Sequence, residues 1–120
     1  LSQPVIYMIA GPNGAGKTTT AMRLLPEFLS IHRFANADEI ARGLNPLDPA
    51  GQAIAAGRIM LELMHDLIEQ RESFAFETTG ASRSFVRLLK LVARWSAQTL
   101  TVLKPVIWEE IKNSAGHIHD

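Results

Sequence analysis

The segment Gly11-Pro12-Asn13-Gly14-Ala15-Gly16-Lys17-Thr18-Thr19 restricts this chain more than any other. Gly11, Gly16, Lys17 and Thr18 meet the G-x-x-x-x-G-K-[ST] pattern of a phosphate-binding loop. Glycines let the backbone curl so that successive N–H groups point inward, forming a nest for phosphate oxygens. In that geometry Lys17 reaches the β- and γ-phosphates, and the Thr18 hydroxyl ligates a phosphate-bound Mg2+. Such a loop belongs between a buried strand and a helix that aims its positive end at the anion. Val5-Ile6-Tyr7-Met8-Ile9-Ala10 supplies an apolar, β-prone run before it. From Lys17 to Leu25 the residues favour helix until Pro26 interrupts. A nucleoside-triphosphate site after the first strand of an α/β domain is therefore expected.

With 120 residues, the chain suffices for one domain, though it is short for a complete nucleotide kinase. Its formal net charge is zero, so no overall field favours nucleic acid or a membrane surface. The absence of cysteine excludes disulfides and Cys-ligated zinc. No signal-peptide layout or membrane-length apolar run occurs, and a soluble cytoplasmic protein is expected.

The rest of the chain alternates strand and helix patterns. Residues 31–37 suit a short second strand ending at Asp38-Glu39, followed by a helical turn to Gly43. Residues 44–49 carry loop chemistry, with Asp48 able to cap the next helix and Pro49 at its first position. That helix is predicted over 49–71, with Ile54, Gly57, Leu61, Met64 and Ile68 on its core face. A third strand follows at 74–78, released by Gly80, then a helix over 82–96 with Phe85, Leu88, Leu89 and Val92 inward. Arg83, Arg87, Lys90 and Arg94 form a basic stripe on that helix, read as a solvated face. A fourth strand is predicted over 99–103, ending before Pro105, with a short helix and frayed tail from Trp108. His32, His65, His117 and His119 match no metal-ligand spacing. The pattern implies an open parallel sheet covered on both sides.

In such sheets ligands bind beyond the carboxyl ends of the strands. Three of those ends carry polar chemistry: the phosphate loop, Asp38, and Glu77 with Thr79. Asp38, just past a strand end, is the better candidate to accept the proton of an attacking hydroxyl, with Glu39 as the alternative. An ordinary helix-capping role for Asp38 is compatible with that. Glu77, beside two threonines, suits recognition of substrate hydroxyls or amides; otherwise neighbouring backbone N–H groups would satisfy its carboxylate.

Together, Gly11 to Thr19, the run Asn36-Ala37-Asp38-Glu39-Ile40-Ala41-Arg42-Gly43-Leu44-Asn45-Pro46, and Phe74-Ala75-Phe76-Glu77-Thr78-Thr79 resemble the zeta-toxin kinase family. The resemblance covers roughly residues 4–92, and its second and third pieces are more specific than the phosphate loop. It implies a three-layer α/β P-loop NTPase/kinase fold with an open parallel sheet, using ATP and Mg2+. Well-known members phosphorylate the 3′-hydroxyl of the aminosugar in UDP-N-acetylglucosamine and so block cell-wall synthesis. Carried across, Lys17 and Thr18 hold triphosphate and metal, and Gly11, Pro12, Asn13, Gly14, Ala15, Gly16 and Thr19 complete the cradle. Asp38 would be the catalytic base, acting with Lys17. Glu77 would contact the acceptor, with Thr79 beside it. The family also implies an antitoxin protein as partner.

The resemblance fades after about Arg94, where members continue into an aromatic-rich strand and a lid helix whose arginines clamp the transferring phosphate. Gly116-His117 only faintly matches the Gly-His that precedes that lid, so the fold is expected to be incomplete at the C-terminus. Loss of such arginines lowers rates by ~10³-fold or more. Two alternatives follow: a truncated, non-catalytic nucleotide-binding module, and a transporter-type ATPase domain. The second conflicts with a loop that begins at residue 11 and with the absence of a Leu-Ser-Gly-Gly signature.

Overall fold

The computed structural model describes residues 3–10, 17–78 and 83–107. Four strands, β1 (Val5–Ala10), β2 (Phe34–Ala35), β3 (Phe74–Thr78) and β4 (Val102–Ile107), form one sheet. The helices are α1 (Lys17–Phe28), α2 (Ala37–Leu44), α3 (Ala53–Glu69) and α4 (Arg83–Gln98). The strand order is β2-β3-β1-β4 and every pairing is parallel. Ile9 lies opposite Glu77 and Ala10 opposite Thr78, while Ala35 pairs with Phe76.

Alternation along the strands separates two cores. Ile6, Met8, Phe74 and Phe76 point to one face, where Met60, Met64, Leu67 and Ile68 of α3 and Val92 of α4 cover them. Ile9 and Ala75 point to the other, under Ala21 and Leu25 of α1. The central strands β1 and β3 are thus apolar on both sides, which parallel sheets require. Phe74 and Phe76 are fully buried, and truncating either to alanine costs about 3–5 kcal/mol. The architecture is three-layered, with α1 on one face and α3 and α4 on the other.

From β1 the chain crosses to β2 at one edge, passing β3; from β3 it crosses to β4 at the other edge, passing β1. Adjacent strands β1 and β3 therefore send their connections in opposite directions. The crevice beyond their carboxyl ends is the topological switch point, where ligands of open α/β sheets bind.

Several boundaries differ from the sequence expectation. Helix α1 runs through Pro26 to Phe28. Proline removes one helical bond in the last turn, but Leu25 is buried beneath the sheet and its carbonyl accepts from Leu29 and Ile31 at 3.2 and 3.0 Å. Strand β2 is only two residues, and Asp38 is helical rather than at a strand end. The helix expected over 49–71 divides into a 3-10 turn, Ala50–Gln52, and α3. Asp48 does accept from the Gly51 N–H at 3.2 Å, as a cap should. The buried face of α3 is Ala56, Met60, Met64, Leu67 and Ile68; Ile54 is exposed. Strand β4 begins at Val102 and continues through Pro105. Its edge position tolerates a residue without an N–H. Phe85 lies in α4 with its side chain outside the description, and the Gly80 turn and the helix from Trp108 lie outside the described residues, as do His117 and His119.

Candidate functional site

Strand β1 ends at Ala10 and α1 opens at Lys17, so the sequence motif occupies the connection from a central strand to a helix. Gly11, Pro12, Asn13, Gly14, Ala15 and Gly16 lie outside the described residues, and so does Thr79. Lys17, Thr18 and Thr19 form the start of α1; their side chains are likewise outside the description. The first turn of α1 contains no acidic residue. Its positive dipole end therefore has no acidic side chain of the first turn to offset it, which fits a phosphate group there. An amine and a hydroxyl suit a triphosphate and its hard dication. Among the described residues, no group of three His, Asp or Glu could hold a metal on its own.

The second and third strand ends are joined by a residue to which the sequence reading gave no role. Asn36, only 6% exposed, follows β2 and caps α2. Its Oδ1 accepts from the backbone N–H groups of Asp38 at 2.8 Å and Glu39 at 3.3 Å. Its Nδ2 donates to Oε2 of Glu77. A buried side-chain amide must find such partners or pay a desolvation penalty. Here its two ends do different work, one finishing a helix and one holding a carboxylate. The contact arises because β2 and β3 are parallel neighbours: one step beyond the Ala35–Phe76 pair, Asn36 meets Glu77. Glu77 has the strand parity of Ala75, so it belongs to the sheet face covered by α1, whose first residue is Lys17.

Within α2, Asp38 and Glu39 both sit in the first turn, where negative charge complements the helix dipole. Their carboxylates have different surroundings. Glu39 is half-buried and accepts from Arg42 one turn on. Asp38 is exposed, and among the described residues its carboxylate takes no hydrogen-bond or ion-pair partner. Capping of α2 falls to Asn36, not to Asp38. Glu77 is satisfied by a side-chain amide, not solely by the neighbouring backbone that its sequence context suggested. The signal for Asn36 was present in the Asn-x-Asp-Glu order, a side-chain oxygen followed by two first-turn acids.

A second concavity of about 500 Å³ opens between α3 and α4, lined by Leu61, Glu62, His65, Asp66, Leu91 and Trp95. His65 meets the Trp95 ring edge-on at 4.7 Å and lies 3.5 Å from Glu69. None of its lining residues belongs to the three strand ends. Arg87, Lys90 and Arg94 of the predicted basic stripe are exposed on α4, and the Arg83 side chain lies outside the description. Among the described residues, no helix is long and apolar enough to cross a membrane.

No family model matches the chain. An uncharacterized protein of Haemophilus influenzae is 32% identical over 80 residues, covering 67% of this chain and 55% of that protein. The chain thus spans about half the length of this curated relative. A solved structure from Chloroflexus aurantiacus j-10-fl, described as a "putative kinase", superimposes with a TM-score of 0.66 at 11% sequence identity. The match covers 89% of this chain and 60% of that one. At such low identity the likeness concerns the fold: a mixed α/β domain on an all-parallel four-stranded sheet.

Proposed function

We propose that this chain is an ATP-dependent kinase domain of the zeta-toxin type, transferring a phosphoryl group to a hydroxyl of a small acceptor. The observation that carries the reading is convergence. A G-x-x-x-x-G-K-T motif joins β1 to α1, and the adjacent strand β3 carries Glu77 next to its last residue, itself bonded to Asn36, two residues before Asp38. The description of the Chloroflexus aurantiacus structure is in keeping with this reading.

When bound, Mg·ATP supplies the transferable phosphoryl group. The chain's residues then have separable tasks. Lys17 and the N–H groups opening α1 bind the triphosphate, and Thr18 holds the metal. Glu77 orients the acceptor by accepting from its hydroxyls or amide. Asp38, exposed beside it, takes the proton from the attacking hydroxyl as that oxygen bonds to phosphorus and the nucleoside diphosphate leaves. The exposed carboxylate of Asp38 favours it over Glu39, which is engaged with Arg42. UDP-N-acetylglucosamine is the acceptor we propose, on the strength of the Asp38 and Glu77 segments.

Phosphorus NMR of the chain with Mg·ATP and UDP-N-acetylglucosamine tests this. A new sugar-phosphate resonance, absent with Lys17→Ala, is expected. Perturbed ATP signals without product would refute this acceptor, and unperturbed ATP signals would refute the nucleotide site itself.

A further inference from the structure

Asn36 has two hydrogen-bonding ends, and each reaches a different part of the site. The carbonyl end closes the N-terminus of α2 through Asp38 and Glu39; the amide end holds the Glu77 carboxylate. These partners are far apart in sequence, 41 residues separating Asn36 from Glu77. From this we infer that Asn36 is a positioning residue that fixes Asp38 and Glu77 as one unit, so that the acceptor-holding and proton-accepting carboxylates keep a set separation. The assignment of those two tasks rests on the function proposed above; the mechanical coupling does not.

The chemistry requires both ends. Asn, Asp and Ser are about equally good helix caps, so capping alone does not select asparagine. An ionised aspartate is acceptor-only and cannot donate to Glu77. It would also set a second negative charge against the carboxylate that Asn36 now holds. Asparagine both accepts from a helix N-terminus and donates to a carboxylate. Burial makes the arrangement strict, since a lost partner at a site 6% exposed is poorly replaced by water.

The discriminating variant is Asn36→Asp, which keeps the cap and removes the donor. The first readout is hydrogen exchange at the Asp38 and Glu39 amides of the full chain without ligand. We expect exchange to quicken about tenfold, the scale of one hydrogen bond to a charged group. Asn36→Asp/Glu77→Gln restores a bond of reversed polarity, the new amide donating to the new carboxylate, and should return exchange close to the parent's. If Asn36→Asp exchanges like the parent, Asn36 is merely a cap and the coupling is refuted. If only the double variant fails to recover, the coupling does not run through Glu77 and is equally refuted.

The second readout is transfer from Mg·ATP to UDP-N-acetylglucosamine. Asn36→Asp should change kcat or the acceptor KM by about tenfold while ATP affinity stays at the parent value, on the same hydrogen-bond scale. Parental kinetics would overturn the positioning role. A parent chain that transfers nothing would overturn the proposed acceptor, while the exchange comparison still decides the coupling.

Discussion

Helices α1 and α2 both begin near the carboxyl edge of the sheet, yet their first turns are built in opposite ways. Helix α2 finishes its own terminus: Asn36 accepts from two of its amides, and Asp38 and Glu39 place negative charge on its dipole. Helix α1 starts Lys-Thr-Thr-Thr, without an acidic residue in its first turn. A helix whose only task was to fold would gain from the first arrangement. Helix α1 lacks such acids, which suits the phosphate site proposed for it, while α2 uses internal groups and leaves the Asp38 carboxylate exposed. The terminus of α2 is closed from within; on the function proposed above, that of α1 would serve the phosphates and that of α2 the base.

The largest consequence concerns Asp38. Asp38→Asn should lower kcat for phosphoryl transfer by about 10²–10⁴-fold, the usual contribution of a general base. Binding of Mg·ATP, titrated calorimetrically, should be unaffected, and full-rate transfer would remove Asp38 from the mechanism. Thr19→Asp gives α1 the kind of acidic first turn that α2 has. In an ordinary helix this stabilises by about 0.3–1 kcal/mol. Here the same charge should weaken Mg·ATP binding by about tenfold or more while the ligand-free chain melts slightly higher. Undiminished affinity would show that the start of α1 is not where the phosphates bind.

How much of this was legible depended on whether the signal was local. The central strands β1 and β3 fall at the residues their apolar, β-prone runs mark, because burial on both faces makes the run continuous. The edges were harder. Pro105 reads as a terminator, yet β4 lies at the sheet edge and carries it. Phe34–Ala35 pairs so briefly that no periodicity could bound it. Ile54 fits a helical stripe as well as Met60 does, and only docking against the sheet decides that Met60 is buried and Ile54 exposed. The same distinction governs the site. Lys17, Asp38 and Glu77 are conspicuous by residue type, whereas the role of Asn36 requires knowing that β2 pairs with β3.

That long-range dependence makes Asn36 a stability determinant too. Asn36→Ala removes the cap of α2 and leaves Glu77 without its amide donor, so urea unfolding should show a loss of about 1–3 kcal/mol. A loss of a few tenths would mean that solvent replaces both ends and that the closed terminus of α2 is incidental.

The smallest effect expected is at Glu39, and it separates two carboxylates that share one cap. Glu39 accepts from Arg42 across one turn, and the Arg42 side chain is largely exposed. Such pairs contribute only about 0.2–0.5 kcal/mol, and salt weakens them further. Glu39→Gln removes this pair and one charge near the dipole, so a loss of about 0.5 kcal/mol or less is expected at low ionic strength. Phosphoryl transfer should continue at the parental rate, because the exposed Asp38 remains. A collapse of transfer in Glu39→Gln with activity retained in Asp38→Asn would move the base by one residue. The Asn36 cap would still be common to both, so the comparison between α1 and α2 would survive with its two acids exchanged.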